Sequence, residues 1–218
     1  MGHRFRIAGM LWLIVPLAFQ SGSSLAGQAA SQRKKETAVI SRQVFEKTMR
    51  KLWEDHITWT RLFIVSASSD LPDKGATLNR LLQNQVDIGN AIKSFYGDAA
   101  GDRLTALLKD HIAIAGEVLV AAKGGQTAQL ENATKRWYAN ADDIAAFLSG
   151  ANAKAWPLED AKAMMKEHLD LTTAEVVAHL KGEWEKDVAS YDKVHEAILK
   201  MADMLSSGII SQFPKRFS

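Results

Sequence analysis

A five-residue block ending in histidine occurs three times in this chain, and no other sequence feature constrains the fold as strongly. Each copy has two large apolar residues, then Glu or Lys, an acidic residue and histidine. The copies are Leu52–His56, Leu107–His111 and Met164–His168. Successive histidines are 55 and 57 residues apart, about the length of a helical hairpin, so the sequence predicts three tandem hairpins.

The match continues beyond each histidine. Apolar residues recur one, three, eight and nine positions later in all three copies. A small residue always stands four positions later, namely Thr60, Ala115 and Thr172. The repeat is therefore a long helical segment with one conserved apolar stripe, and the histidine lies within that stripe.

Apolar residues elsewhere recur at spacings of three and four, which is typical of amphipathic helices. Glycines and prolines separate these segments, as is common at helix ends. No segment shows the alternation of a strand. We therefore predict an all-α helical bundle of about six helices, built from three tandem hairpins. The predicted helices cover about 36–67, 76–96, 101–123, 127–149 and 157–181, followed by a last helix that ends at Gly208.

The first 26 residues have the pattern of a signal peptide. Arg4 and Arg6 precede an apolar run, Ile7–Phe19, and small residues follow. The run has 13 residues, whereas a membrane-spanning helix needs roughly 20. We expect a signal peptide over 1–26, a flexible lead-in over 27–35 and a single helical-bundle domain over 36–218. The mature protein is then periplasmic or secreted, without a stable membrane anchor.

Charge and cysteine content exclude several classes of function. The chain has 27 basic and 25 acidic residues, and the predicted signal peptide holds two of the basic ones. The remainder is balanced, so no net field attracts nucleic acid or acidic lipid. The chain has no cysteine, which excludes disulfides, thiolate metal sites and a lipoprotein anchor.

The three repeat histidines are the candidate site. Because His56, His111 and His168 lie within apolar stripes, we expect each imidazole to be buried and to have a partner. Three equivalent helices around one axis would bring the rings together. Three neutral imidazoles with one open position can bind a divalent transition metal such as Zn²⁺ or Cu²⁺. A small ligand and a purely structural role remain open.

The second helix of each predicted hairpin carries a weaker repeat of an acidic residue. Asp87, Asp143 and Asp192 stand at matching positions, and Asp187 competes with Asp192 for the third. We expect these carboxylates to orient the histidines or to act as ligands themselves. For Arg61, we expect an ion pair with Asp87 or Asp143, or a bound anion.

Motifs of other site types are missing. The sequence has no Cys-x-x-Cys-His haem motif, no phosphate-binding loop and no Gly-x-Ser-x-Gly elbow. We assign no catalytic residue. The predicted function is an exported helical-bundle binding protein that takes a transition metal or a small ligand through the three histidines. The alternative is a non-catalytic structural or interaction module with buried His–Asp pairs.

The chain also resembles a family of small all-helical bacterial proteins of uncharacterised function. The segments that carry the resemblance include LWEDHITWTR, RWYANADDIAAFLS and the C-terminal YDKVHEAILKMADML, within about Lys51 to Pro214. The resemblance implies an all-helical fold. Some members are labelled glycosyltransferase or acetylglutamate kinase, but those activities belong to nucleotide-binding α/β folds, and no strand is predicted. Members of the family lack a signal peptide, and the chain departs from them there.

Overall fold

Six long helices account for most of the chain that the structure describes. The structure is a computed structural model, and it describes residues 39–218. The predicted signal peptide and lead-in lie outside these residues. The all-α helical bundle is confirmed. The helices, numbered in chain order, are α1 (Arg42–Ser68), α2 (Lys74–Tyr96), α3 (Asp98–Lys123), α4 (Thr127–Asn152), α5 (Leu158–Leu180) and α6 (Trp184–Gln212), and a short 3-10 turn follows at Pro214–Arg216.

The helices pack in chain order and close into a ring. Each helix contacts the one before it and the one after it, α6 returns to α1, and α1 also contacts α3 and α5. The turns between helices have between one and five residues, so neighbouring helices run antiparallel. A large apolar cluster of buried residues contributed by all six helices fills the ring. No helix of residues 39–218 has the length and apolar character needed to cross a bilayer.

The C-terminal tail closes one end of the bundle. Phe217 is buried, and its ring centre lies 5.2 Å from that of Phe45 and 5.5 Å from that of Phe95. The Ile40 backbone N–H donates to Arg216 O at 2.8 Å. These contacts fix the segment before α1 against the end of the chain.

Gly208 does not end the last helix, so this predicted boundary is wrong. The helix α6 continues through Gly208 to Gln212. Close packing accounts for a glycine at this position. A Cβ atom on Gly208 would lie 2.4 Å from Nε1 of Trp156, a residue in the α4–α5 turn. The glycine leaves room for the indole, whose Nε1–H donates to Met204 O at 3.3 Å.

A second pair of glycines allows a close approach between α2 and α3. A Cβ atom on either Gly89 or Gly101 would lie 2.6 Å from the carbonyl oxygen of the other. The helix α3 begins at Asp98, three residues earlier than predicted, so Gly101 lies inside it. The true turn glycine is Gly97, whose φ of 85° is a conformation that favours glycine.

We predict opposite effects for two Gly→Ala changes in helices. Gly208→Ala should lower the free energy of unfolding by roughly 1–3 kcal/mol, because the added methyl group overpacks the Trp156 contact. Gly150→Ala is the matched control, since nothing lies within 4 Å of a Cβ at that position. It should leave stability unchanged or raise it by up to about 1 kcal/mol. Urea unfolding of both variants checks this, and equal effects would contradict the packing explanation.

Candidate functional site

The structure brings the three repeat histidines together inside the ring. His56 on α1, His111 on α3 and His168 on α5 have exposed fractions of 3%, 3% and 5%. The ring centre of His168 lies 5.8 Å from that of His56 and 6.2 Å from that of His111. Residues that are more than 50 positions apart in sequence thus form one buried cluster.

A cavity of about 190 Å³ adjoins the histidine cluster. The small residues one turn after the histidines, Thr60, Ala115 and Thr172, all line it. The Thr60 and Thr172 hydroxyls each donate to the carbonyl oxygen of their own repeat histidine at 2.8 Å. Space remains because no large side chain stands at these three positions. The other lining residues are mainly apolar and include Phe63, Ile64, Leu81, Ile112, Val118, Leu119, Leu130, Trp137 and Val176.

Both ring nitrogens of His111 are engaged. Asn140 Oδ1 lies 2.8 Å from His111 Nδ1, and because a carbonyl oxygen can only accept, Nδ1 carries the proton. The Trp137 indole N–H donates to His111 Nε2 at 3.1 Å. His111 is therefore held in one tautomer by two residues of α4.

His56 has the opposite tautomer. Gln85 Nε2 lies 3.2 Å from His56 Nδ1, and an amide N–H₂ group can only donate, so Nδ1 accepts. The same amide nitrogen donates to Leu81 O at 2.8 Å, which fixes the orientation of the amide, and its second hydrogen is shared between His56 Nδ1 and Asn84 Oδ1, which lies 3.2 Å away. The imidazole proton of His56 is consequently on Nε2.

His168 lacks this support. Its Nδ1 atom is buried and has no hydrogen-bond partner among residues 39–218. No side chain of α6 is hydrogen-bonded to His168 Nδ1 in the described chain, so this helix does not fix the tautomer of His168.

The two asparagines form a repeat of their own. Asn84 Nδ2 donates to Leu52 O at 2.9 Å, and Asn140 Nδ2 donates to Leu107 O at 3.1 Å. Each acceptor is four residues before a repeat histidine. The signal for these residues was present in the sequence, because Asn84 and Asn140 each precede a predicted aspartate by three positions.

The aspartates expected to partner the histidines lie elsewhere, and that pairing is corrected here. Asp87 is half-buried and accepts a hydrogen bond from Gln83 at 3.1 Å, while Asp143 and Asp192 are exposed. The physical reason is the cost of desolvating an ionised carboxylate beside a neutral imidazole. An uncharged amide makes the same hydrogen bond without that cost.

Arg61 belongs to a separate buried ion network. Its guanidinium donates to Glu175 Oε1 at 2.7 Å and to both carboxylate oxygens of Asp187, at 2.7 and 2.9 Å. His179 Nδ1 lies 2.8 Å from Asp187 Oδ2. The partners predicted for Arg61 were wrong. Of the two candidate aspartates, Asp187 is buried and Asp192 is exposed. Asp187 links α1, α5 and α6 through Arg61 and His179 and does not partner a repeat histidine.

The cluster of imidazoles is uncharged at ordinary pH. Burial, together with the neighbouring His111, lowers the pKa of His56 to about 3. Burial also lowers the pKa of His111 to about 4, and it brings the pKa of His168 well below its usual value. All three imidazole rings beside the cavity are therefore neutral.

The metal-binding role of the histidines stays a prediction. Within residues 39–218, no group of three or more His, Asp or Glu side chains is arranged to hold a metal ion. The lone pair of His111 Nε2, which a metal would need, accepts the Trp137 N–H instead.

Comparisons with protein-family models, with curated proteins and with solved structures found no match.

We predict that two of the histidines differ in their contribution to stability. His111→Leu should lower the free energy of unfolding by about 1–3 kcal/mol, because Asn140 Oδ1 and Trp137 Nε1 lose their buried partner. His168→Leu, the matched variant, removes a ring whose Nδ1 has no partner, so it should be close to neutral. Urea unfolding at pH 7 measures both, and equal losses would contradict the assigned hydrogen bonds.

Proposed function

We propose that this chain is an exported binding protein that takes a small, uncharged and mainly apolar molecule into the cavity beside the three histidines. The observation that carries the proposal is the cavity itself, with apolar walls on most sides and polar imidazoles in one place. Ligand sites in proteins have this composition, a predominantly hydrophobic lining with a few polar groups that set orientation. The signal-peptide pattern of residues 1–26 supports export.

The volume limits the size of the ligand. An apolar cavity of about 150 Å³ in another protein holds one benzene molecule, and the cavity here is about 190 Å³. Sites for drug-sized molecules and cofactors begin at about 300 Å³. The expected ligand is therefore a single ring or a short chain.

The electrostatic environment limits the charge of the ligand. No Asp, Glu, Lys or Arg side chain is among the described residues that line the cavity. The three imidazoles are neutral, so they provide no counter-charge. A charged ligand would lose its hydration without compensation, which favours an uncharged one.

The cavity reaches the protein surface at α5. Thr173 and Val177 of α5 line the cavity and are also exposed. Leu130 and Thr134 of α4 line the same cavity and are half-buried. We propose that a ligand enters between these residues.

A transition metal is the second candidate, and the spacing of the imidazoles supports it. With Zn–N bonds of about 2.0–2.1 Å, two imidazoles on one tetrahedral metal have ring centres roughly 5–6 Å apart. The measured separations of 5.8 and 6.2 Å are close to that range. Binding by all three rings requires Trp137 to release His111 Nε2.

We predict that filling the cavity abolishes binding of a small apolar probe. Toluene should bind the purified protein with one site in a calorimetric titration. Ala115→Leu should remove that binding, because the larger side chain occupies the cavity. Ala139→Leu, on the exposed face of α4, is the control and should bind normally. A melting curve verifies that both variants fold. Absence of toluene binding to the unchanged protein would favour the structural or interaction module instead.

For the metal candidate, we predict one bound Zn²⁺ or Cu²⁺ per chain after metal exposure and desalting, with a raised melting temperature. Trp137→Phe should increase the metal affinity, because it frees the Nε2 lone pair of His111. His195→Gln removes a half-buried histidine outside the cluster, which pairs with Glu54, and should leave metal binding unchanged. Elemental analysis and thermal melting decide the matter. Metal-free protein with unchanged melting would eliminate this candidate.

A further inference from the structure

The tautomer of His56 determines which chemical group the cavity offers to a ligand. Gln85 donates to His56 Nδ1, and its amide cannot turn over without losing the 2.8 Å bond to Leu81 O. The proton of the ring is therefore held on Nε2. Gln85 does not line the cavity, so its effect on a ligand would pass through His56 alone.

The Nε2 atom of His56 is directed to accessible space. It has no acceptor among residues 39–218, and it is absent from the fully buried polar atoms that lack a partner. The accessible space that this side chain lines is the cavity. His56 therefore presents an N–H donor there.

The other two histidines do not compete for this role. His111 uses Nδ1 to bond Asn140 and Nε2 to accept from Trp137. His168 has no group that fixes its proton, since Nδ1 is without a partner in the described chain. It can offer either a donor or an acceptor on its cavity side. Among the three histidines, His56 alone has a cavity-facing donor whose direction is fixed by another residue of the described chain.

We propose that the ligand of this cavity carries a hydrogen-bond acceptor oxygen, as in a ketone, aldehyde, ester or ether, which accepts from His56 Nε2–H while the apolar remainder fills the cavity. Gln85 is the positioning residue that sets this preference. The inference rests on the proposed function and deepens it by naming the ligand class.

A pair of molecules with the same shape tests the preference. Cyclohexanone has the acceptor oxygen, and methylenecyclohexane replaces that oxygen by a CH₂ group. Calorimetric titration of the full chain should show cyclohexanone binding roughly three- to tenfold more tightly than methylenecyclohexane, the range expected for one net hydrogen bond.

Changing Gln85 should change the preference in a defined direction. Gln85→Met removes the donor without adding charge to this fully buried position, and it should bind the ketone and its CH₂ analogue about equally. Gln43→Met, on the exposed face of α1, is the control and should keep the original preference.

Nitrogen-15 chemical shifts of the His56 imidazole provide a readout that a merely structural role for Gln85 would not move. They should show the proton on Nε2 in the original chain and a mixture of the two tautomers in Gln85→Met. Equal affinity for cyclohexanone and methylenecyclohexane in the original chain, with Ala115→Leu blocking both, would overturn this inference and leave the binding site intact. Failure of both molecules to bind would overturn the site and this inference together.

Discussion

Hydrogen bonds between amide side chains and buried imidazoles are the interactions on which the centre of this bundle depends. An imidazole removed from water needs a partner, and α2 and α4 supply one to His56 and His111. Asn84 and Asn140 also donate to the carbonyl oxygens one turn before His56 and His111. Because the partner determines the tautomer, the proton is on Nε2 in His56 and on Nδ1 in His111, although the two repeats have similar sequences.

The cavity and the polar cluster have a common origin in the repeat. A helix that places histidine in its apolar stripe, with a small residue one turn later, directs a polar ring and an empty space toward the same axis. Three such helices in one ring bring the polar rings together and join the empty spaces. Packing in most protein interiors leaves no such space, so the small residues are as important to the candidate site as the histidines.

The sequence predicted the helices, the threefold repeat and the burial of the histidines, because these follow from apolar periodicity and copy-to-copy identity. It did not identify Gln85, Asn140 or Trp137 as partners of the histidines. An aspartate is the more familiar partner of a histidine, and the cost of burying its charge can be judged only once the packing is known. Gly208 was misjudged for a related reason. A glycine that makes room for a distant indole has the same local sequence signature as one that ends a helix.

The first two hairpins share the bond from an asparagine to the carbonyl oxygen before the histidine, whereas the contacts that join one hairpin to the next are all different. Glycine-to-glycine backbone contact joins the first to the second, Trp156 in the turn between the second and third lies against Gly208, and the Arg61 network joins the third back to the first. An open solenoid can gain or lose a repeat because every joint is the same. Here each interface between hairpins differs from the other two, so closure of the ring requires these three hairpins. Duplication or deletion of one hairpin would bring together two surfaces that are not complementary.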